Sequence, residues 1–85
     1  MASYNLQIKP SAAKELEDLP KKDLQRVVAR IRALAGEPRP QGCEKLTGQS
    51  LYRVRQGDYR ILYSVDDHAH QVVVFKIGHR REVYR

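Results

Sequence analysis

The stretch Tyr52–Tyr63, YRVRQGDYRILY, limits the folds open to this chain more than any other. Two alternating runs flank a Gln-Gly-Asp turn, the pattern of a β-hairpin with one apolar face. Pairing Arg55 with Arg60 across the turn sets Arg53 opposite Leu62 and Tyr52 opposite Tyr63. A slip of one residue would drive every arginine into the core, so the register is strongly specified. Extending it to the next strand matches Ile61 with Phe75 and Tyr63 with Val73. Tyr52, Val54, Tyr59, Ile61, Tyr63, Val73, Phe75 and Ile77 are then expected on one face. Arg53, Arg55, Arg60 and Lys76 are expected on the other. Like charges placed opposite one another destabilise a sheet, so folding alone gives no reason for this cluster. A bound polyanion does. The competing reading is that the arginine stems merely cover Leu51, Leu62, Val72 and Val74.

The rest of the chain supplies what such a hairpin packs against. Tyr4, Leu6 and Ile8 alternate with Asn5 and Gln7 as a short strand with one buried side. Pro10 and Ser11 open a helix carrying Ala12, Leu16 and Leu19, and Pro20 stops it. A second helix carries Leu24, Val27, Val28, Ile31, Leu34 and Ala35, with Gly36 as its expected stop. The near absence of a linker makes the two an antiparallel helical hairpin. Residues 36–50 read as loop. Three strands follow, over 51–55, 59–65 and 72–77. The expected fold is α+β: a mainly antiparallel four-stranded sheet with an N-terminal helical hairpin packed on one face. With 85 residues and no linker, one domain spanning 1–85 is expected.

Composition removes several classes of function. The longest apolar run, Val72–Phe75, is far too short to span a membrane, and no secretory leader is expected. Cys43 is the single cysteine, which excludes an internal disulfide and suits a reducing cytoplasm. Sixteen Lys and Arg against ten Asp and Glu give a net charge of +6. That excess serves solubility or a polyanionic partner. Lys22, Arg26 and Arg30 recur four apart on the second helix, as either a solvated face or a sequence-blind contact with phosphates.

A cationic face suits phosphate chemistry, because guanidiniums grip phosphate oxygens in pairs and stabilise charge gained in a transition state. Cleaving RNA also needs a base for the 2′-OH and an acid for the 5′-oxygen. The closing KIGHRREVYR brings His79, Arg80, Arg81 and Tyr84 directly after the last strand, where Gly78 is expected to let the chain turn back. His79 titrates near neutrality; Tyr84 can stack on a base or exchange a proton. No metal or other cofactor is expected, since Asp58, Asp66, Asp67 and Glu82 sit singly and His68 and His70 lack further ligands. No nucleophile constellation is visible around Ser11, Ser50, Ser64 or Cys43.

The segments KLTGQ, LYRVRQGDYRILYSV and VVVFKIGHRREVYR resemble the RelE/ParE superfamily of toxin–antitoxin toxins, the RelE branch above all. The resemblance spans essentially the whole chain, and GHRREVY is its most specific part. It implies a microbial-ribonuclease-like fold and a ribosome-dependent, metal-free mRNA endoribonuclease acting in the ribosomal A site. It also implies a cognate acidic antitoxin from the same operon, and a toxin–antitoxin complex that binds operator DNA. On this match Arg53 and Arg55 are the basic pair of the sheet, Arg60 the arginine opening the next strand, and Arg80 and Tyr84 the C-terminal members. Arginines stand where relatives often carry lysines, and guanidinium barely titrates. His79 and Tyr84 both stay open as the base. The resemblance leaves two other classes: a ParE-like toxin that inhibits DNA gyrase without RNA chemistry, and a scaffold or RNA-binding module without activity.

Overall fold

A computed structural model describes residues 3–48 and 50–79. The elements run β1 (Asn5–Ile8), α1 (Pro10–Glu17), α2 (Lys21–Gly36), β2 (Glu44–Lys45), β3 (Tyr52–Gln56), β4 (Tyr59–Asp66) and β5 (Gln71–His79). They form one sheet of order β1-β5-β4-β3-β2, with β1 parallel to β5 and the other pairs antiparallel. The architecture is the expected α+β arrangement, with five strands instead of four. The extra strand is the two-residue β2, which pairs Glu44 with Arg53 inside the stretch expected to be loop. So short a strand has no alternation to read, and only its partner defines it.

Local chemistry explains most boundaries. Pro10 occupies the first turn of α1, where its missing N–H is no loss. Lys9 is the N-cap, and it makes no side-chain capping bond. Pro20 opens α2 with its carbonyl accepting from the Leu24 N–H at 2.8 Å. The β3–β4 turn has two central residues, and the first, Gly57, has φ 61°. That is the geometry that matches strand twist in a tight hairpin and favours glycine.

Ala12, Leu16, Val27, Ile31 and Leu34 of the helices pack on Val54, Ile61, Tyr63, Val72, Val74 and Ile77 of the sheet. The β3–β4 register is as expected, with Arg55 opposite Arg60 and Tyr52 opposite Tyr63. The β4–β5 register is not. Ile61 faces Ile77, Leu62 faces Lys76, and Tyr63 faces Val74, so Phe75 is left unpaired at a bulge. Val72 and Val74 are therefore core residues, while Val73 and Phe75 are only half-buried. The run Val72–Phe75 is apolar throughout and carries no phase, and a bulge resets whatever phase precedes it. Nor does the chain turn at Gly78: β5 runs through it to His79.

Two polar contacts seal the edges of this layer. β1 accompanies β5 only as far as Val74, leaving the later N–H groups of β5 without a strand on that side. Glu15 of α1 fills the gap, accepting from the Ile77 N–H at 2.9 Å and from Lys76 Nζ at 3.1 Å. At the opposite end, Arg39 donates to both oxygens of Asp67 (3.1 and 2.9 Å) and to the Tyr52 hydroxyl, while Tyr4 donates to Asp67 at 2.7 Å. Arg39 above all, and then Tyr4, hold the Asp67 carboxyl down to about 2. A carboxylate depressed in the fold stabilises it above its unfolded pKa of ~3.9, and that contribution is lost as pH falls toward the folded value. Asp67→Asn should therefore lower the Tm at neutral pH, and its Tm should fall less than wild type's between pH 4 and pH 2. Parallel acid-side declines in the two proteins would remove Asp67 from the linkage.

Candidate nucleic-acid interface

The helices cover one face of the sheet, and strand alternation sends the arginines to the other. Arg53 lies in a cross-strand row with Leu62 and Lys76, and Arg55 in a row with Arg60 and Gly78. The expected set Arg53, Arg55, Arg60 and Lys76 thus shares the face away from the helices. Exposure differs sharply among its members. Arg55 is exposed, whereas Arg60 is 7% exposed and is the buried charge among the described residues. Its Nη1 donates to the Tyr59 carbonyl at 3.4 Å. Gly78, directly opposite, contributes no side chain to that row. A buried guanidinium is held in place by its surroundings, which suits it to an oriented contact and not to loose attraction.

Lys76 has a local obligation. Its ammonium leans to the β5 edge and pairs with Glu15, so it joins the arginine cluster through the sheet register while its tip serves α1. Lys22 and Arg26 are exposed on α2, and Arg30 is half-buried near the Tyr63 side chain, where its charge is felt. Since α2 packs on the core face, this stripe lies across the sheet from Arg53, Arg55 and Arg60. The two basic surfaces are not continuous through the sheet. Tyr63 itself is fully buried and donates its hydroxyl to the Pro38 carbonyl at 2.6 Å; burial raises its pKa.

His79 departs from the concavity expected for it. It pairs with Tyr59, shares a face with Ile77, and meets the Tyr59 ring edge-on at 5.8 Å. Its neighbours line a groove of about 410 Å³ formed with Glu15, Asp18, Leu19, Tyr59, Ile77 and Gly78. The imidazole thus stands on the helix side, across the sheet from Arg55 and Arg60. Strand alternation forces this once β5 continues through Gly78. Arg80, Arg81 and Tyr84 lie outside the described residues.

One group at the arginine cluster escaped the sequence reading. Glu44, on β2, pairs with Arg53 and accepts from its Nη2 at 2.8 Å. That contact, followed by the charges of Arg53, Arg55 and Arg60, holds its carboxyl below the ordinary carboxylate range. An acidic residue two positions before the KLTG segment's leucine was the available signal; without the strand pairing it had no address.

Residues 6–84 match the family model described as the ParE toxin of the type II toxin–antitoxin system parDE. Among curated proteins, the chain is 33% identical over 86 residues to Toxin RelG of Mycobacterium tuberculosis, covering 96% of this chain and 97% of that one. It is 32% identical over 84 residues to Toxin RelE of the same organism, covering 96% and 87%. Among solved structures, an archaeal RelE–RelB complex from Pyrococcus horikoshii superposes with a TM-score of 0.83 at 32% identity, covering 94% of this chain and 98% of that one. Sequence and fold are thus shared with this group along almost the whole chain, and the chain belongs to the RelE/ParE superfamily of type II toxin–antitoxin toxins.

Proposed function

We propose that the chain is a ribosome-dependent mRNA endoribonuclease of the RelE type. The observation that carries this reading is the seating of Arg60: buried, yet on the sheet face away from the helices, in register with Arg55 and one row from Arg53. A binder needs exposed charge. A charge held nearly out of water is what stabilises a pentacoordinate phosphorus, where electrostatic contacts are strongest. Arg53 and Arg55 position the flanking phosphates, and Arg80, Arg81 and Tyr84 enter through the family match, Tyr84 as stacking partner or proton donor. The names of the M. tuberculosis relatives support the same reading.

The chemistry is an in-line attack of a ribose 2′-oxygen on the adjacent phosphorus. It leaves a 2′,3′-cyclic phosphate and a 5′-hydroxyl, and it calls for no metal or cofactor. The natural setting is the cytoplasm, on mRNA held in the ribosomal A site. The domain spans residues 1–85. The solved RelE neighbours include complexes with antitoxins, which supports a cognate antitoxin partner. In this reading the antitoxin is acidic, neutralises the arginine face and, in complex with the toxin, binds operator DNA.

Mapping mRNA 5′ ends in cells after brief expression tests the proposal. Cuts inside translated frames, with 2′,3′-cyclic phosphate on the upstream fragment, are expected. Intact mRNA together with DNA-damage signalling would overturn it in favour of gyrase inhibition, the activity implied by the ParE name of the matching family model.

A further inference from the structure

The face away from the helices is not uniformly polar. Leu62 and Val73 lie on it by strand alternation, since their chain neighbours Ile61, Tyr63, Val72 and Val74 are all core residues. Phe75 follows the core residue Val74 at the bulge. Like Leu62 and Val73, it is half-buried yet stands outside the helix-packed core. The three make an apolar strip, and cations bound it on both sides. Leu62 sits between Arg53 and Lys76 in one cross-strand row, with Arg55 and Arg60 in the next. At the β1 edge, Lys9 donates its N–H to the Val74 carbonyl at 3.0 Å and holds its ammonium 4.3 Å from the centre of the Phe75 ring. The strand order β1-β5-β4-β3 puts about 14 Å between the Lys9 edge and the arginines of β3.

We infer that Phe75 is a stacking platform for one base of the mRNA strand whose phosphates lie on the arginines. This rests on the ribonuclease reading above. A flat ring on an apolar strip, with positive charge at both margins, matches a chain of bases joined by phosphates. An apolar partner gains nothing from cations at both margins, and an RNA duplex keeps its bases stacked inside. An acidic peptide would use the charges but has no need of a flat ring. Lys9 covers the ring when no RNA is bound. An exposed lysine–ring contact is the weaker of the two interactions, so an arriving base displaces the ammonium. Lys9 is exposed, and its long stem lets the ammonium swing to the phosphate of the stacked nucleotide.

The test uses ribosomes programmed with a short mRNA. For binding, 2′-O-methyl groups across the A-site codon block cutting, and 2-aminopurine replaces one base at a time in the codon and on either side of it. Wild type should quench the fluorescence at one of these positions. Phe75→Ala should lose most of that quench, and Phe75→Tyr should keep it. On cleavable mRNA at sub-saturating toxin, Phe75→Ala should cut about 5- to 100-fold more slowly, the loss expected for one base–aromatic stack. Phe75→Leu retains apolar bulk without a flat ring; it should melt near wild type yet cut nearly as slowly as Phe75→Ala. Phe75→Tyr should approach the wild-type rate. Phe75→Leu cutting as fast as Phe75→Tyr overturns the inference. So does a wild type that quenches no position, or a quench that Phe75→Ala leaves intact. Each of these results assigns the strip to a protein partner and leaves the ribonuclease reading standing. Wild type that fails to cut mRNA on programmed ribosomes overturns both.

Discussion

Arg60→Ala should cleave mRNA on programmed ribosomes about 10²–10³-fold more slowly than wild type, the size expected when one donor to a charged transition state is removed. The side chain lies on the sheet face away from the helices, so no contact of the helical core is lost directly. It is nonetheless buried, directly opposite Gly78 in the sheet, so a modest drop in Tm should accompany the kinetic loss. Arg60→Lys separates the two effects. It retains charge and most of the stem but not the planar fork, and should recover stability more fully than rate. Single-turnover kinetics and thermal melts on the same preparations make the comparison. A folded Arg60→Ala protein that cuts at the wild-type rate would take the arginine face out of the mechanism.

The second large effect is on stability. Ile61 is fully buried at the centre of β4, between Val54 on one strand and Ile77 on the other, and it packs on the helices. Truncation to alanine removes buried methyl and methylene groups and leaves a cavity the rigid sheet cannot close, at a cost of about 2–5 kcal/mol. A domain of this length has a total stability of only about 4–13 kcal/mol at 0.05–0.15 kcal/mol per residue. Ile61→Ala should therefore be partly or largely unfolded at physiological temperature. Val73→Ala, on the half-buried position three pairs away, should cost much less. Urea midpoints measured side by side give the order. Equal losses at the two positions would mean that the bulge does not set the core as described.

Those positions also mark where sequence reading works. The β3–β4 hairpin was legible because tyrosine, valine and isoleucine alternate with arginine, and a two-residue turn with glycine leaves one register that keeps the arginines off the helix-packed face. The helical hairpin was legible from apolar spacing and from Pro10 and Pro20, whose missing N–H groups restrict where a helix can begin or continue. In β5 neighbouring residues are alike, so alternation carries no phase. Only contact with β4 and the helices selects Val72, Val74 and Ile77 for the core and leaves Phe75 at the bulge.

For the candidate site, the sequence by itself determined its charge: arginines at alternate positions across a tight turn must share a face, because strand geometry permits nothing else. Tertiary structure decided everything that needs a third element. Burial of Arg60 depends on what surrounds its row, and capture of Lys76 depends on α1 lying along the unpaired edge of β5. The turning of His79 toward Tyr59 depends on β5 running straight through Gly78. The placing of Glu44 against Arg53 depends on a two-residue strand that exists only because β3 offers it an edge. Local patterns encode which side of a strand a residue takes, while the neighbours across that side come from chain segments too distant in sequence for any local pattern to specify.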